Sequence, residues 1–203
     1  MKLLPCTVLA LALALGAAPL AAQSSTATYQ VRFDATWSAA THPGAYPAGA
    51  HFSGPVGGTH DASVHFWQAG GIATVGIERM AELGSQTELL AEVNAAIAGG
   101  SAGQTITASG LGSPGTKATV FTVDDAHPLV TIVTMVAPSP DWFVGVDGLD
   151  LRENGYWVKQ KTVQLLAWDA GTDSGTSFTS PDLHTFPKEP IALITTATGG
   201  PFT

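Results

Sequence analysis

Cysteine is almost absent from this 203-residue chain, and the single one, Cys6, sits in the opening apolar run. Basic residues are scarce as well, with 8 Lys and Arg against 16 Asp and Glu. No Gly-x-Ser-x-Gly elbow, phosphate loop or Ser/His/Asp arrangement occurs, which removes the common nucleophilic and nucleotide-dependent enzyme classes. The acidic balance leaves no footprint for nucleic acid or an anionic membrane. No internal repeat and no linker divides the chain.

What is present begins with export. Lys2 precedes an apolar run from Leu3 to Leu20, and small Ala21 and Ala22 lead into polar Gln23 and Ser24. This order predicts a signal peptide over residues 1–22, cleaved near Ala22, and hence a secreted or periplasmic protein. Pro5, Gly16 and Pro19 interrupt the run and no basic stop-transfer cluster follows, so no transmembrane segment is expected in the mature chain. Cleavage removes Lys2 and Cys6. The mature net charge becomes 7 − 16 = −9, and no disulfide can form despite an oxidising destination. Roughly 180 remaining residues make one ordinary domain, 23–203, with a core over about 27–196 and a loose tail at Gly199-Gly200-Pro201.

Periodicity predicts a mainly β chain with one or two short inserted helices. Val31, Phe33 and Ala35 alternate with polar neighbours as a half-buried strand. Residues 38–60 read as a long loop punctuated by Pro and Gly. Val64, Phe66 and Trp67 suggest a short strand. Ile77, Met80, Ala81 and Leu83 have helical spacing that stops at Gly84. Ser85 and Glu88 predict a capping box for a second helix carrying Leu89, Leu90, Val93, Ala96 and Ile97, which ends at Gly99-Gly100. Residues 105–109, 117–123, 129–136, 142–146 and 157–166 read as strands at about ten-residue spacing, the pattern of a β-sandwich.

Two late segments carry the functional signal: Pro-Ser-Pro-Asp-Trp-Phe-Val-Gly over 138–145 and Trp-Asp-Ala-Gly-Thr-Asp-Ser-Gly over 168–175. Each places carboxylates in a turn beside an aromatic anchor. Brought together by a β-framework, Asp141, Asp169 and Asp173 can surround a hard cation. Oxygen-only donors favour Ca2+ over zinc, and Gly-rich turns free backbone carbonyls to join the six to eight ligands that calcium takes. The competing explanation is that Asp in turns accepts backbone N–H bonds and nothing more.

Read together with Tyr29 to Trp37, Trp37-Ser38, Thr41-His42-Pro43, Tyr46-Pro47, Ala50-His51-Phe52-Ser53, Gly57-Gly58-Thr59-His60 and Ala81-Glu82-Leu83-Gly84-Ser85, these segments resemble the spondin domain family. The resemblance runs from about Tyr29 to about Ile194. It implies a C2-like antiparallel β-sandwich holding a calcium ion in loops at one end, with Asp141, Asp169 and Asp173 as ligands. It also implies a role in extracellular or cell-surface recognition and adhesion, with an extracellular protein or surface glycan as partner. The composition and plain leader are those of a bacterial, stand-alone member. Residues 150–157 read Asp-Leu-Arg-Glu-Asn-Gly-Tyr-Trp, where animal members carry a cysteine pair.

Other clusters have plainer readings. His42, His51 and His60 number enough for zinc, but their spacing and neighbours fit a loop ordered by hydrogen bonds. Glu78, Glu82 and Glu88 could be offered as the carboxylates of a metal-dependent or carboxylate-based hydrolase of the cell envelope. On helices they are expected to be a solvated face or a cap, with Glu82 near the early loops, so no enzyme is expected. Trp37, Trp67, Trp142, Trp157 and Trp168 could stack on sugars and are expected mostly as core anchors.

Overall fold

The structure, a computed structural model, describes residues 25–195 apart from residue 45. The predicted signal peptide, its cleavage point and the predicted tail lie outside the described residues. The elements run β1 (Thr26–Ala35), β2 (His51–Phe52), β3 (Val56–His60), α1 (Val75–Leu83), α2 (Thr87–Gly99), β4 (Ala102–Thr107), β5 (Leu111–Gly112) and β6 (Gly115–Asp124). They continue with β7 (Leu129–Ala137), β8 (Trp142–Asp150), β9 (Arg152–Glu153), β10 (Tyr156–Trp157), β11 (Ala167–Asp169) and β12 (Ala192–Leu193).

The architecture is an antiparallel β-sandwich with two helices on its outer face. The main sheet runs β12-β11-β8-β7-β2-β5, with β3 also pairing β7 and carrying β4 on its far edge. β1 and β6 pair only with each other. β7 shows how a period of two builds both faces. Val133, Met135 and Ala137 pack toward the helices with Ile77, Met80, Leu89 and Val93. Val130, Ile132 and Val136 face the β1–β6 pair. β8 repeats the logic, with Phe143 on the helix side and Trp142 and Val144 on the other. Each large side chain so buried contributes about 1.5–3 kcal/mol.

α1 ends where the sequence says it should: Gly84 is left-handed at φ 67°, its N–H donates to the Met80 carbonyl, and the following Ser85 N–H donates to the Arg79 carbonyl. The second helix starts one residue later than a Ser85 cap would place it. Ser85 Oγ donates to the Glu88 carboxylate at 2.6 Å and accepts the Thr87 N–H at 3.3 Å, while Gln86 occupies the N-cap position. The Gln86 amide is committed elsewhere, donating to the carbonyls of Gly54 and Ala108 at 2.8 and 2.9 Å.

Three segments differ from the sequence expectation. The stretch 38–60 is not all loop, because β3 is a fully buried strand between β4 and β7. Its glycines answer close approach rather than turning. A Cβ at Gly57 would lie 1.9 Å from the Thr131 carbonyl oxygen, and one at Gly58 would lie 2.6 Å from Val93 Cγ1. Val64 to Trp67 form no strand. Phe66 and Trp67 are consecutive yet both buried, which a pleat pointing neighbours to opposite faces does not favour on a one-sided core. Residues 158–166, expected as the continuation of a strand from Trp157, run without ladder bonds and mostly exposed. Only Val158 and Leu165 among them pack against the core, too few to fix a strand register.

His60 is wholly buried at the end of β3. Its Nδ1 bonds the Asp61 carbonyl at 2.7 Å and its Nε2 meets Thr131 Oγ1 at 2.8 Å. Thr131 Oγ1 accepts the Gly148 N–H at 2.9 Å, so its own proton goes to Nε2 and the imidazole is neutral with Nδ1 protonated. Burial accordingly pushes its pKa below the usual 6.5.

Candidate metal centre

The turn between β7 and β8 is stapled by Ser139, whose hydroxyl donates to the Val136 carbonyl at 2.5 Å and accepts the Trp142 N–H at 3.1 Å. This fixes Asp141 immediately before β8, fully buried. β11 runs antiparallel beside β8 with Asp169 opposite Trp142 and Trp168 opposite Phe143. Trp168 is held in the core by an edge contact with Trp67, ring centroids 5.2 Å apart. The aromatic beside each acidic turn therefore does anchor it.

The chain then turns at Gly171, which is left-handed at φ 73° and would place a Cβ 2.2 Å from the Glu189 carbonyl oxygen. Only glycine fits there. The turn aims the next two amides inward: the N–H groups of Thr172 and Asp173 donate to Asp141 Oδ2 at 2.8 and 3.1 Å, and Thr172 Oγ1 lies 3.2 Å from the same oxygen. Asp169 Oδ1 accepts the Gly171 N–H at 2.8 Å. Asp173 is also buried; its Oδ1 accepts the Gly175 N–H at 2.7 Å and its Oδ2 the Leu183 N–H at 2.8 Å. Asp141 and Asp173 thus stand on adjoining loops and Asp169 at the end of β11 beside them, and each accepts backbone N–H groups as Asp does in turns.

One oxygen stands outside this scheme. Asp141 Oδ1 is buried without a hydrogen-bond partner. A buried carboxylate oxygen left unpaired costs free energy unless it is protonated or meets a cation. Burial, and then the neighbouring Asp169 charge, push the Asp141 pKa up to about 7 against the pull of the Thr172 and Asp173 N–H groups. Asp169 is raised as well, first by burial and then by the nearby charges of Glu189 and Asp173. The site concentrates acidic groups faster than its own donors can stabilise their charge. A divalent ion ligated by oxygen would answer that imbalance at Asp141 Oδ1. Among the described residues, however, Asp141, Asp169 and Asp173 do not bring one oxygen each within 4.8 Å of the others, so the structure places them as neighbours without gathering them into a closed donor set.

The histidines are scattered. His42 Nδ1 meets Thr41 Oγ1 at 3.0 Å, His51 Nδ1 bonds the Gly49 carbonyl at 2.8 Å, and His60 is buried as described. Among the described residues these three form no shared donor set. Trp37, Trp67 and Trp142 are core anchors. Glu88 is engaged with Ser85. Glu82, expected near the early loops, has a neighbour that sequence reasoning did not foresee. It lies beside Thr172 of the late acidic loop, and burial raises its pKa. No local pattern could have announced this contact, because the partners are 90 positions apart.

Comparison with known proteins shows the family to which the chain belongs. The family model described as Spondin_N matches residues 27–201. Mouse Spondin-1 is 37% identical over 183 residues, covering 84% of this chain and 22% of its own length. Human Spondin-2 is 34% identical over 194 residues, covering 90% of this chain and 57% of its own. Rat Spondin-2 is 35% identical over 180 residues, or 53% of its length. The chain therefore spans about a fifth of the Spondin-1 length and little more than half of the Spondin-2 length.

Proposed function

Because the chain belongs to the spondin N-terminal domain family, we propose that it is an exported, calcium-binding module for recognition or adhesion, without catalysis of its own. The observation that carries the ion is Asp141 Oδ1, buried and without a hydrogen-bond partner beside two further aspartates. Asp141, Asp169 and Asp173 would hold calcium, with backbone carbonyls and water completing the shell. The ion would supply positive charge among clustered carboxylates. The chain does the rest: the Thr172 and Asp173 amides orient Asp141, Gly175 and Leu183 orient Asp173, and Trp168 ties the loop to the core.

Fixed end loops suit binding to an extracellular protein or a surface glycan, in the periplasm or outside the cell, where the predicted leader would deliver the chain. The ion can serve as part of that surface by offering a coordination position to a carboxylate or sugar hydroxyl. The test is thermal melting in calcium against chelator. A ligand that binds only the native state stabilises it by mass action, about 2.7 kcal/mol at a hundredfold excess over Kd. Calcium should raise Tm in the wild type and not in Asp173→Ala. Equal melting of the wild type in calcium and in chelator would remove calcium from the proposal.

A further inference from the structure

α1 presents a second donor set on the same end of the molecule, and it differs in chemistry from the aspartate loops. Glu78 and Glu82 stand one helical turn apart on one face. His184 comes up to them from the loop after the acidic segment, and the ligand atoms of all three lie within 4.8 Å of one another. His184 is set there by its backbone. It bridges Asp173, and its neighbours are tied on both sides: the Leu183 N–H to Asp173 Oδ2 and the Thr185 N–H to the Thr172 carbonyl, each at 2.8 Å.

The geometry points to a binding site for a zinc-type divalent ion, held by Glu78, Glu82 and His184 with a coordination position left for water or for a ligand from a partner. An imidazole nitrogen with two carboxylate oxygens is a donor set for zinc and its first-row neighbours, whereas calcium takes oxygen. Zinc ligands sit about 2.0–2.2 Å from the ion and so about 3.4 Å from each other in a tetrahedron. The three atoms already lie within 4.8 Å of one another, and His184 is exposed.

Lys188 has the place of an orienting partner. Its Nζ donates to Glu78 Oε2 at 2.6 Å and to the Ala73 carbonyl at 3.0 Å, which holds the Glu78 carboxylate still and leaves its second oxygen for an ion. Two carboxylates against one ammonium leave the pocket short of positive charge, and the divalent ion makes up the deficit. Three donors from a helix and a loop, with an exposed imidazole, leave the fourth direction toward solvent.

The site has its own three donors, none of them shared with the calcium reading, although the acidic loop positions His184. The purified chain, held in excess calcium, is titrated with zinc chloride by calorimetry and with cobalt(II) in the visible range. One zinc per chain is expected in the wild type and in Asp169→Asn. His184→Ala should weaken binding at least about tenfold, since loss of even an outer-shell partner costs that much, while its melting temperature without zinc stays unchanged. Glu82→Gln should weaken zinc in the same direction. The site is overturned by wild-type zinc affinity in His184→Ala, by no zinc binding in the wild type, or by a loss that follows Asp169→Asn instead.

Discussion

The backbone N–H of Thr172 donates to Asp141 Oδ2 at 2.8 Å, fastening the loop after β11 to the turn before β8. Because the Asp173 N–H shares that oxygen at 3.1 Å, Oδ2 is saturated and everything further that Asp141 does falls to Oδ1.

Asp141→Asn separates these two oxygens. The amide oxygen keeps the Thr172 and Asp173 donors, and the amide nitrogen replaces an acidic oxygen that has no partner. In chelator the variant should melt at or above the wild-type temperature. In calcium it should lose the stabilisation, about 2.7 kcal/mol at a hundredfold excess over Kd. A calcium shift equal to wild type would show that Asp141 is not a ligand.

The Asp141 pKa, raised to about 7 from an ordinary 3.8, gives the chelated protein a pH dependence of known sign. The folded chain holds a proton that the unfolded chain has released, so this contribution is complete below about pH 4 and is lost as pH rises through about 7. Calcium must displace the same proton. Calorimetry near pH 6 in buffers of different ionisation enthalpy should register proton release on binding, and Asp141→Asn should register less. Identical heats in all buffers would contradict the linkage.

His60 acts with the opposite sign. Its folded pKa lies below the unfolded 6.5 because the buried ring is neutral, so its contribution is present above pH 6.5 and is lost as pH falls toward the lower folded value. His60→Gln should cost about 1–3 kcal/mol at pH 8 through lost packing and hydrogen bonds. The deficit should narrow at pH 5. Denaturant melts at the two pH values decide it, and a deficit that stays constant or grows would be inconsistent with a neutral imidazole.

Gly57→Ala tests the reading of β3. A methyl 1.9 Å from the Thr131 carbonyl oxygen cannot be relieved by a side-chain rotation, so the strand must move. A loss of at least about 3 kcal/mol is expected, within the range of severe core overpacking. Gly112→Ala, where a Cβ meets nothing within 4 Å, should stay within about 0.5 kcal/mol. Comparable melting of the two variants would be the adverse result.

The sequence was most legible where local physics and tertiary packing agree. The Gly84 and Gly100 stops, the alternation of β1 and the apolar β7 all follow from periodicity and capping. It misled where a residue type serves a purpose other than its usual one. Gly57 and Gly58 look like turn residues and are strand residues chosen for the absence of a side chain. Phe66 and Trp67 look like a strand and are a loop pinned into the core. Of the site, both acidic turns and their aromatic anchors were visible as motifs. The approach of Glu82 to Thr172, and of His184 to α1, depends on how distant segments meet, which no window of sequence contains.

Each of the 10 residues of β1 pairs with β6, and neither strand joins another ladder. That ribbon is attached to the rest of the molecule through interleaved side chains such as Phe33, Tyr29 and Phe121. It can lift away without severing any strand pairing of the main sheet, which makes it a natural unit of partial opening. Deuterium should therefore enter its amides as a group, earlier than it enters β7, while the acidic end of the molecule stays shut.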